Sequence, residues 1–363
     1  MVGYSLLINA MARLHGCSWR TWSALNRRAD FLWRCSLCLD PCRTPPSPGR
    51  SAPPVQPTAL TWLQTGCRFL QPVLQPLSPY AGRPVALATC HGKERVLRRP
   101  FRAGLGVEIM VASGFDTDSL GTFSGERPRP ADAATTCRLK AEAALDATGA
   151  SLGLASEGSF GPHPAIPFLP LAIEWMTFVD RHRDLVISER LVGPPTNFSH
   201  SVIAAGADPG SWLERIGFPD HGVIVRPHRS DPHPSDPFPI VRGLQCRQAL
   251  DLAIQEATDH SADGLALLET DMRAHRNPTR MASIRRLAFR LVRRIRTPCP
   301  SCGCPGWGLV GREPGLPCGW CGLPTALLRA EIQGCAHCDH RAEVRRRDGL
   351  LRADPQHCAN CNP

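Results

Sequence analysis

Cysteine sulfurs spaced two residues apart grip a soft cation, and the chain carries four such pairs near its end: Cys299 and Cys302, Cys318 and Cys321, Cys335 and Cys338, Cys358 and Cys361. A tight turn aims both thiolates of a pair at one point, and four thiolates complete a tetrahedral site. Turn formers lie in or beside the pairs: Pro300, Gly303, Gly319, Gly322 and Asn360. The first two pairs read C-x2-C-x15-C-x2-C and the last two C-x2-C-x19-C-x2-C, which is the spacing of four-thiolate zinc ribbons. The expectation is two structural zinc ions, closed to substrate because no coordination position stays open. Sequential pairing, first with second and third with fourth, is the favoured arrangement; an interleaved one satisfies the same spacing. Cys304, His337, His340 and His357 are spare donors nearby. Cys-x2-Cys pairs inside a reducing cell hold metal rather than disulfides, so the expected location is the cytoplasm.

A second set of residues suits phosphate chemistry. Glu157, Glu269 and Asp271 offer oxygen ligands for magnesium, or a base that activates water, and are the candidate catalytic residues. His91, Lys93, Arg273 and Arg280 are the candidate substrate-binding residues, since ammonium and guanidinium groups offset phosphate charge. Lys93 follows a glycine and opens a helix, where backbone amides add to an anion site. Asp116 and Asp118 could share a cation, and Arg138 and Lys140 on the next helix could face phosphates. Plainer readings stand beside these. Lys93 can face solvent, the Gly and Pro residues around Glu157 can serve a turn alone, and Asn277-Pro278-Thr279 is a helix start with Asn277 or Thr279 as cap. No G-x-S-x-G elbow occurs, and Cys90 and His91, as neighbours on a strand, point to opposite faces.

The elements that must hold these groups alternate between strand and helix. Val85–Thr89, Val107–Ala112 and Ser151–Ala155 read as strands, the last ending in a Gly- and Pro-rich turn from Ser156 to Pro164. Ala131–Thr148 is a helix stopped by Gly149. Leu171–Val179 and Leu185–Leu191 form a hairpin; Gly222–Val225 and Leu265–Leu268 are later strands, and helices cover Ser211–Ile216, Gln245–Thr258 and Thr279–Ile295. This predicts an α/β fold, a mixed sheet with flanking helices, plus a small C-terminal zinc-ribbon module. The polar motifs fall just beyond the strand ends, where ligands bind in such sheets.

Composition separates three regions. Residues 1–84 are rich in Pro and Arg and nearly free of acids, and read as a disordered extension or as sequence upstream of a true start near Val85. Residues 85–296 form the α/β domain, and 297–363 the double ribbon. The 363 residues carry a net charge of +10, which suits phosphate-bearing partners. No apolar run approaches the roughly 20 residues of a membrane span. The last helix sets Ile284, Leu287, Leu291 and Ile295 on one face and arginines on the rest. Two functions are therefore expected: a metal-assisted hydrolase of a phosphorylated, nucleotide-like compound, or a non-enzymatic nucleic-acid or protein adaptor using the ribbon and the Arg-rich helix.

From Val85 onward the chain resembles an uncharacterised bacterial family, a domain of unknown function ending in a zinc ribbon. The residues that carry this are His91-Gly92-Lys93-Glu94, Phe115 through Asp118 with Gly121-Thr122-Phe123, Ser156 through Pro164, Glu269 through Arg280, and the cysteine pairs. A further similarity is to the inosine/xanthosine triphosphate pyrophosphatases, through Thr89, His91 and Lys93, then Arg138 and Lys140, then Glu157 and Gly158. That resemblance implies Lys93 on phosphates and Glu157 near magnesium. His91 stands where that family has an Asn, and the first turn is one residue short.

Overall fold

Apolar alternation along β1 (Pro84–Ala88) sets the architecture: Val85 and Leu87 join one core, Ala86 and Ala88 another. The computed structural model describes residues 78–113, 131–228 and 240–363; residues 1–77 and the Asp116 and Asp118 segment lie outside the described residues. β1 leads through α1 (Glu94–Leu105) to β2 (Glu108–Val111), which lies parallel to it, as a helical crossover allows. α2 (Ala133–Thr148) precedes β3 (Leu152–His163), parallel to β1 on its other side. Asp132 caps α2 by accepting hydrogen bonds from the Ala134 and Thr135 amides at 2.8 and 3.0 Å. β4 (Ile166–Asp180) and β5 (Leu185–Val192) return as antiparallel hairpins. The result is a mixed sheet in the order β2-β1-β3-β4-β5.

Helices cover both faces of that sheet. α2 closes over the alanine face, where Cys137, Ala141, Ala144 and Leu145 meet Ala86, Ala88 and Ala155. Gly153 permits the approach: a Cβ there would lie 2.7 Å from the Ala141 carbonyl oxygen. The opposite face buries Leu87, Leu154, Met176, Phe178 and Ile187 against Leu97 and Phe101 of α1 and Ile284, Leu287 and Leu291 of α5 (Pro278–Arg296). α5 buries the apolar stripe expected of it, and Asn277 is its cap, accepting from the Arg280 amide at 2.9 Å with Pro278 following.

Along the chain, a second sheet is inserted between β5 and α5. β6 (His200–Ala204), β7 (Val223–Pro227), β8 (Val241–Leu244) and β9 (Leu265–Thr270) pair antiparallel in the order β6-β9-β7-β8. α3 (Gly210–Ile216) and α4 (Arg247–Asp259) supply its core through Trp212, Leu213, Leu250 and Ile254. β9 alternates half-buried and buried residues, the pattern of an antiparallel strand covered on one side rather than a central strand of a doubly covered sheet. So Gly222–Val225 and Leu265–Leu268, expected among the mixed-sheet elements, belong to a separate sheet.

One element differs in kind. The run from Ser156 to Pro164 is not a turn. β3 continues through it to His163, paired with β4 from Leu152↔Asp180 to Pro162↔Pro170. Glycine and proline weaken a strand without forbidding it where a long partner supplies the ladder. Glu157 therefore stands on a strand, opposite Trp175, and Gly158 stands opposite Glu174.

The chain ends in a three-stranded antiparallel sheet, β10 (Gly308–Pro314), β11 (Leu328–Gly334) and β12 (Arg341–Arg345). No helix among the described residues is long and apolar enough to cross a membrane.

Candidate functional site

The eight cysteines form two tetrads, Cys299, Cys302, Cys335 and Cys338, and Cys318, Cys321, Cys358 and Cys361, each with its four sulfurs within 4.8 Å of one another. The pairing is interleaved, first with third and second with fourth, which corrects the sequential arrangement expected above. Strand direction is the reason. One strand separates each pair from the next, so successive pairs fall at opposite ends of the sheet. A seven-residue strand such as β10 carries the chain roughly 20 Å, too far for its two flanking pairs to share an ion. Pairs one and three meet at one end, two and four at the other.

The spacing of the sulfurs fits a metal. Cys299 to Cys338 is 3.8 Å, Cys302 to Cys335 3.6 Å, Cys318 to Cys361 3.8 Å and Cys321 to Cys358 3.6 Å. A tetrahedron with metal–sulfur bonds of about 2.3 Å has edges of about 3.8 Å. Backbone amides point at the sulfurs: Ser301 to Cys299 and Trp320 to Cys318 at 3.4 Å, His337 to Cys335 at 3.2 Å. Amides of Cys321 and Trp320 hold the Cys318 thiol down at about 7, while the neighbouring Cys321 thiol and burial push Cys361 of the same tetrad up to about 12. Each tetrad can hold one metal ion. Cys302, Cys304 and His337 also lie close together, so two of the four spare donors, Cys304 and His337, flank the first tetrad.

A second polar cluster forms where β1 ends beside the middle of β3, so Glu157 does not follow a strand end as expected from the sequence. Lys93, at the start of α1, is buried, and its ammonium donates to the Ser156 carbonyl oxygen at 2.6 Å. Lys140, from α2, pairs with Glu157 at 2.9 Å, both side chains nearly buried. On the neighbouring strand Glu174 accepts from Arg280 Nε at 2.7 Å, while Arg280 Nη1 donates to the Met272 carbonyl oxygen at 2.5 Å. Gly158 makes room for this pair: a Cβ there would lie 2.6 Å from Arg280 Nη2 and 2.9 Å from Glu174 Oε1. The Arg280 guanidinium also covers the Phe160 ring at 5.0 Å. Ser156 Oγ is buried with no hydrogen-bond partner among the described residues.

Electrostatically the cluster is rich in cations. Burial, reinforced by the Arg280 charge, pushes Lys93 down to about 8, against the opposing pull of Glu157 and Glu174. Burial, with Lys93 and His275 beside it, pushes His91 down to about 3, so its ring is neutral at physiological pH. His91 stacks on His275, centroids 5.2 Å apart and planes within 8°. β1 stops at Ala88, so Cys90 and His91 lie in the following turn rather than on a strand. The Cys90 sulfur is therefore 3.8 Å from the His91 ring.

The structure thus brings His91, Lys93, Glu157 and Arg280 into one neighbourhood. Asp271 and Arg273 lie in the loop between β9 and α5 that supplies His275. Asp271 is fully buried and paired with Arg273, Nη2 to Oδ2 at 2.6 Å. Glu269 is on the second sheet and pairs with Arg226 at 2.9 Å. Among the described residues, the groups of three or more donors placed to share a cation all contain cysteine. Sequence reasoning missed Glu174, whose signal was present: it keeps phase with the buried residues Ala172, Met176 and Phe178 along β4.

A family model described as a domain of unknown function (DUF6671) matches residues 140–363, opening within α2 rather than at Val85. No curated protein matches the chain.

Proposed function

This chain belongs to the DUF6671 family, and from its site we propose that it binds a phosphorylated, nucleotide-like compound where β1 ends beside the middle of β3 and hydrolyses it with the help of magnesium. The observation that carries this reading is the pair of buried lysines, Lys93 and Lys140, meeting beside one glutamate, Glu157. Burying two ammonium groups is costly unless anions answer them. Here Lys93, Lys140 and Arg280 face Glu157 and Glu174, leaving an excess positive charge that a phosphate would offset. The orphan Ser156 hydroxyl is a further polar contact for a ligand.

In this reading Lys93 and Lys140 hold phosphate oxygens, and His91, a neutral ring at the mouth of the turn, donates or accepts one hydrogen bond. Glu157 would be the residue that holds magnesium, whose charge would stabilise the phosphate undergoing hydrolysis. Water would attack phosphorus, forming one P–O bond as the bridging P–O bond breaks, its proton leaving with the departing oxygen while the lysines offset charge on the phosphate oxygens. Arg280 and Glu174 brace the strand pair and act as positioning residues. Asp271 with Arg273 orders the loop carrying His275, and Glu269 stays on the second sheet.

Each cysteine tetrad, in the same proposal, holds a structural zinc ion with no open coordination position. Screening the full-length protein against nucleoside triphosphates with magnesium tests the enzymatic reading. Turnover that disappears in Lys93→Met and Glu157→Gln, with native far-UV circular dichroism retained, supports it. Absence of turnover and of phosphate binding across nucleotide classes would remove it.

A further inference from the structure

A groove of about 690 Å³ runs between the mixed sheet and the terminal three-stranded sheet, lined by Trp175, Arg190, Arg290, Arg294 and Arg312 among others. It continues into a neighbouring hollow of about 550 Å³ that adds Arg293, Trp307 and Arg347. Six arginines, from β5, α5, β10 and the segment after β12, therefore face two glutamates, Glu189 and Glu331. Both glutamates are taken. Glu189 accepts from Arg294 at 3.2 Å and has Arg290 at 3.6 Å; Glu331 has Arg312 at 3.8 Å. Arg294 is structural as well, donating to the Ser188 and Gly306 carbonyl oxygens at 2.7 and 3.1 Å, which ties β5 to the cysteine-rich sheet. Arg190, Arg293, Arg312 and Arg347 are exposed.

We infer that this groove binds a single-stranded nucleic acid along its phosphate backbone. The cations are all arginines, whose planar fork matches phosphate and carboxylate alike; two further features favour that partner over an acidic peptide. Aromatic faces lie in the lining, Trp175 already covered by the Arg190 guanidinium at 5.6 Å and Trp307 stacked on His340 at 5.2 Å, and bases of an unpaired strand stack on such platforms. The groove also crosses two sheets joined through Arg294, so one strand would contact both. The cysteine tetrads then have a task beyond local folding: they hold one wall of the groove in place. None of the phosphate-pocket residues lines the groove, so this inference stands or falls apart from the proposed hydrolysis.

The test uses full-length, metal-replete protein and fluorescently labelled oligouridylate and oligothymidylate about 12 nucleotides long, within the site sizes such grooves take. Anisotropy should report binding that weakens with salt. Arg293→Glu with Arg347→Glu should weaken it by about tenfold or more and reduce the slope of log K against log salt by about 1.4, two contacts at roughly 0.7 each. The same charge change at Arg98 and Arg99, exposed on α1 and outside the groove lining, should leave it within about twofold. Tighter binding of the uridylate assigns RNA, and tighter binding of the thymidylate assigns DNA. Polyglutamate or inorganic polyphosphate binding as tightly as either strand would overturn the inference. So would equal losses from the groove and α1 variants, or no binding by either strand.

Discussion

Interleaved pairing of the cysteines makes a prediction that sequential pairing cannot share. Replace one cysteine in each of two pairs by serine and count the metal ions left. Cys302 and Cys335 belong to one tetrad, Cys302 and Cys321 to different ones. Sulfur–sulfur distances of 3.6 and 3.8 Å, divided by the tetrahedral ratio of about 1.63, leave a centre about 2.2 to 2.3 Å from each sulfur, which a zinc ion would fit. Each tetrad could offer one metal ion four sulfurs, and in small fingers a structural zinc site contributes roughly 10–16 kcal/mol of apparent binding energy. Losing one thiolate of four empties a site under competition from a chelator. Cys302→Ser with Cys335→Ser should keep one zinc of two, whereas Cys302→Ser with Cys321→Ser should keep none. Elemental analysis after dialysis against a chelator gives the count, and cobalt substitution gives it again through thiolate charge-transfer absorbance. The reverse pattern would refute the argument from strand direction. Full-length protein that never carries metal would refute the reading of the tetrads themselves.

Other expectations concern the buried polar cluster. Glu174→Gln leaves Arg280 buried without its counter-charge and should cost about 3–5 kcal/mol, read as a lower urea midpoint; an unchanged midpoint would mean the pair contributes nothing net. Gly158→Ala drives a methyl against Arg280 and Glu174 and should cost about 1–3 kcal/mol, with Gly161→Ala, where the space is open, as the near-neutral comparison. Lys93 sets a pH dependence. Its folded value of about 8 lies below its ordinary 10.5, so between these the unfolded chain binds more protons, and its contribution to stability rises with pH across that window. Phosphate affinity should move the other way, falling as pH rises through 8 and the ammonium is lost. Denaturation and phosphate titrations on wild type and Lys93→Met check both signs, and a slope unchanged in the variant would assign the effect elsewhere.

The reading of elements from sequence went furthest where physics is local. Gly149 stops α2 as its sequence implies, whereas Asp132, inside the expected helix Ala131–Thr148, is its N-cap and the helix opens at Ala133. The apolar stripe of α5 was visible because helix period alone puts Ile284, Leu287 and Leu291 on one face. Turn chemistry misled at β3, where glycine and proline read as a loop although the long partner β4 carries the ladder through them. Gly158 has a different task there, giving Arg280 and Glu174 room across the strand pair. No local rule reveals that, since Arg280 arrives from 106 positions beyond Glu174.

By itself the sequence determined what the tail can bind, because thiolate spacing within one turn creates a ligand pair without help from the rest of the chain. It also placed Lys93 just beyond β1, whereas Glu157 and Glu269, expected beyond strand ends, stand within β3 and β9. Tertiary structure alone decided partners. Strand direction matched the first cysteine pair to the third, and packing of α2 on β3 set Lys140 against Glu157. Glu269 went to another sheet, because antiparallel pairing with β6 and β7 enclosed β9. Ligand type follows from side-chain chemistry at short range, whereas which side chains meet depends on long-range strand pairing.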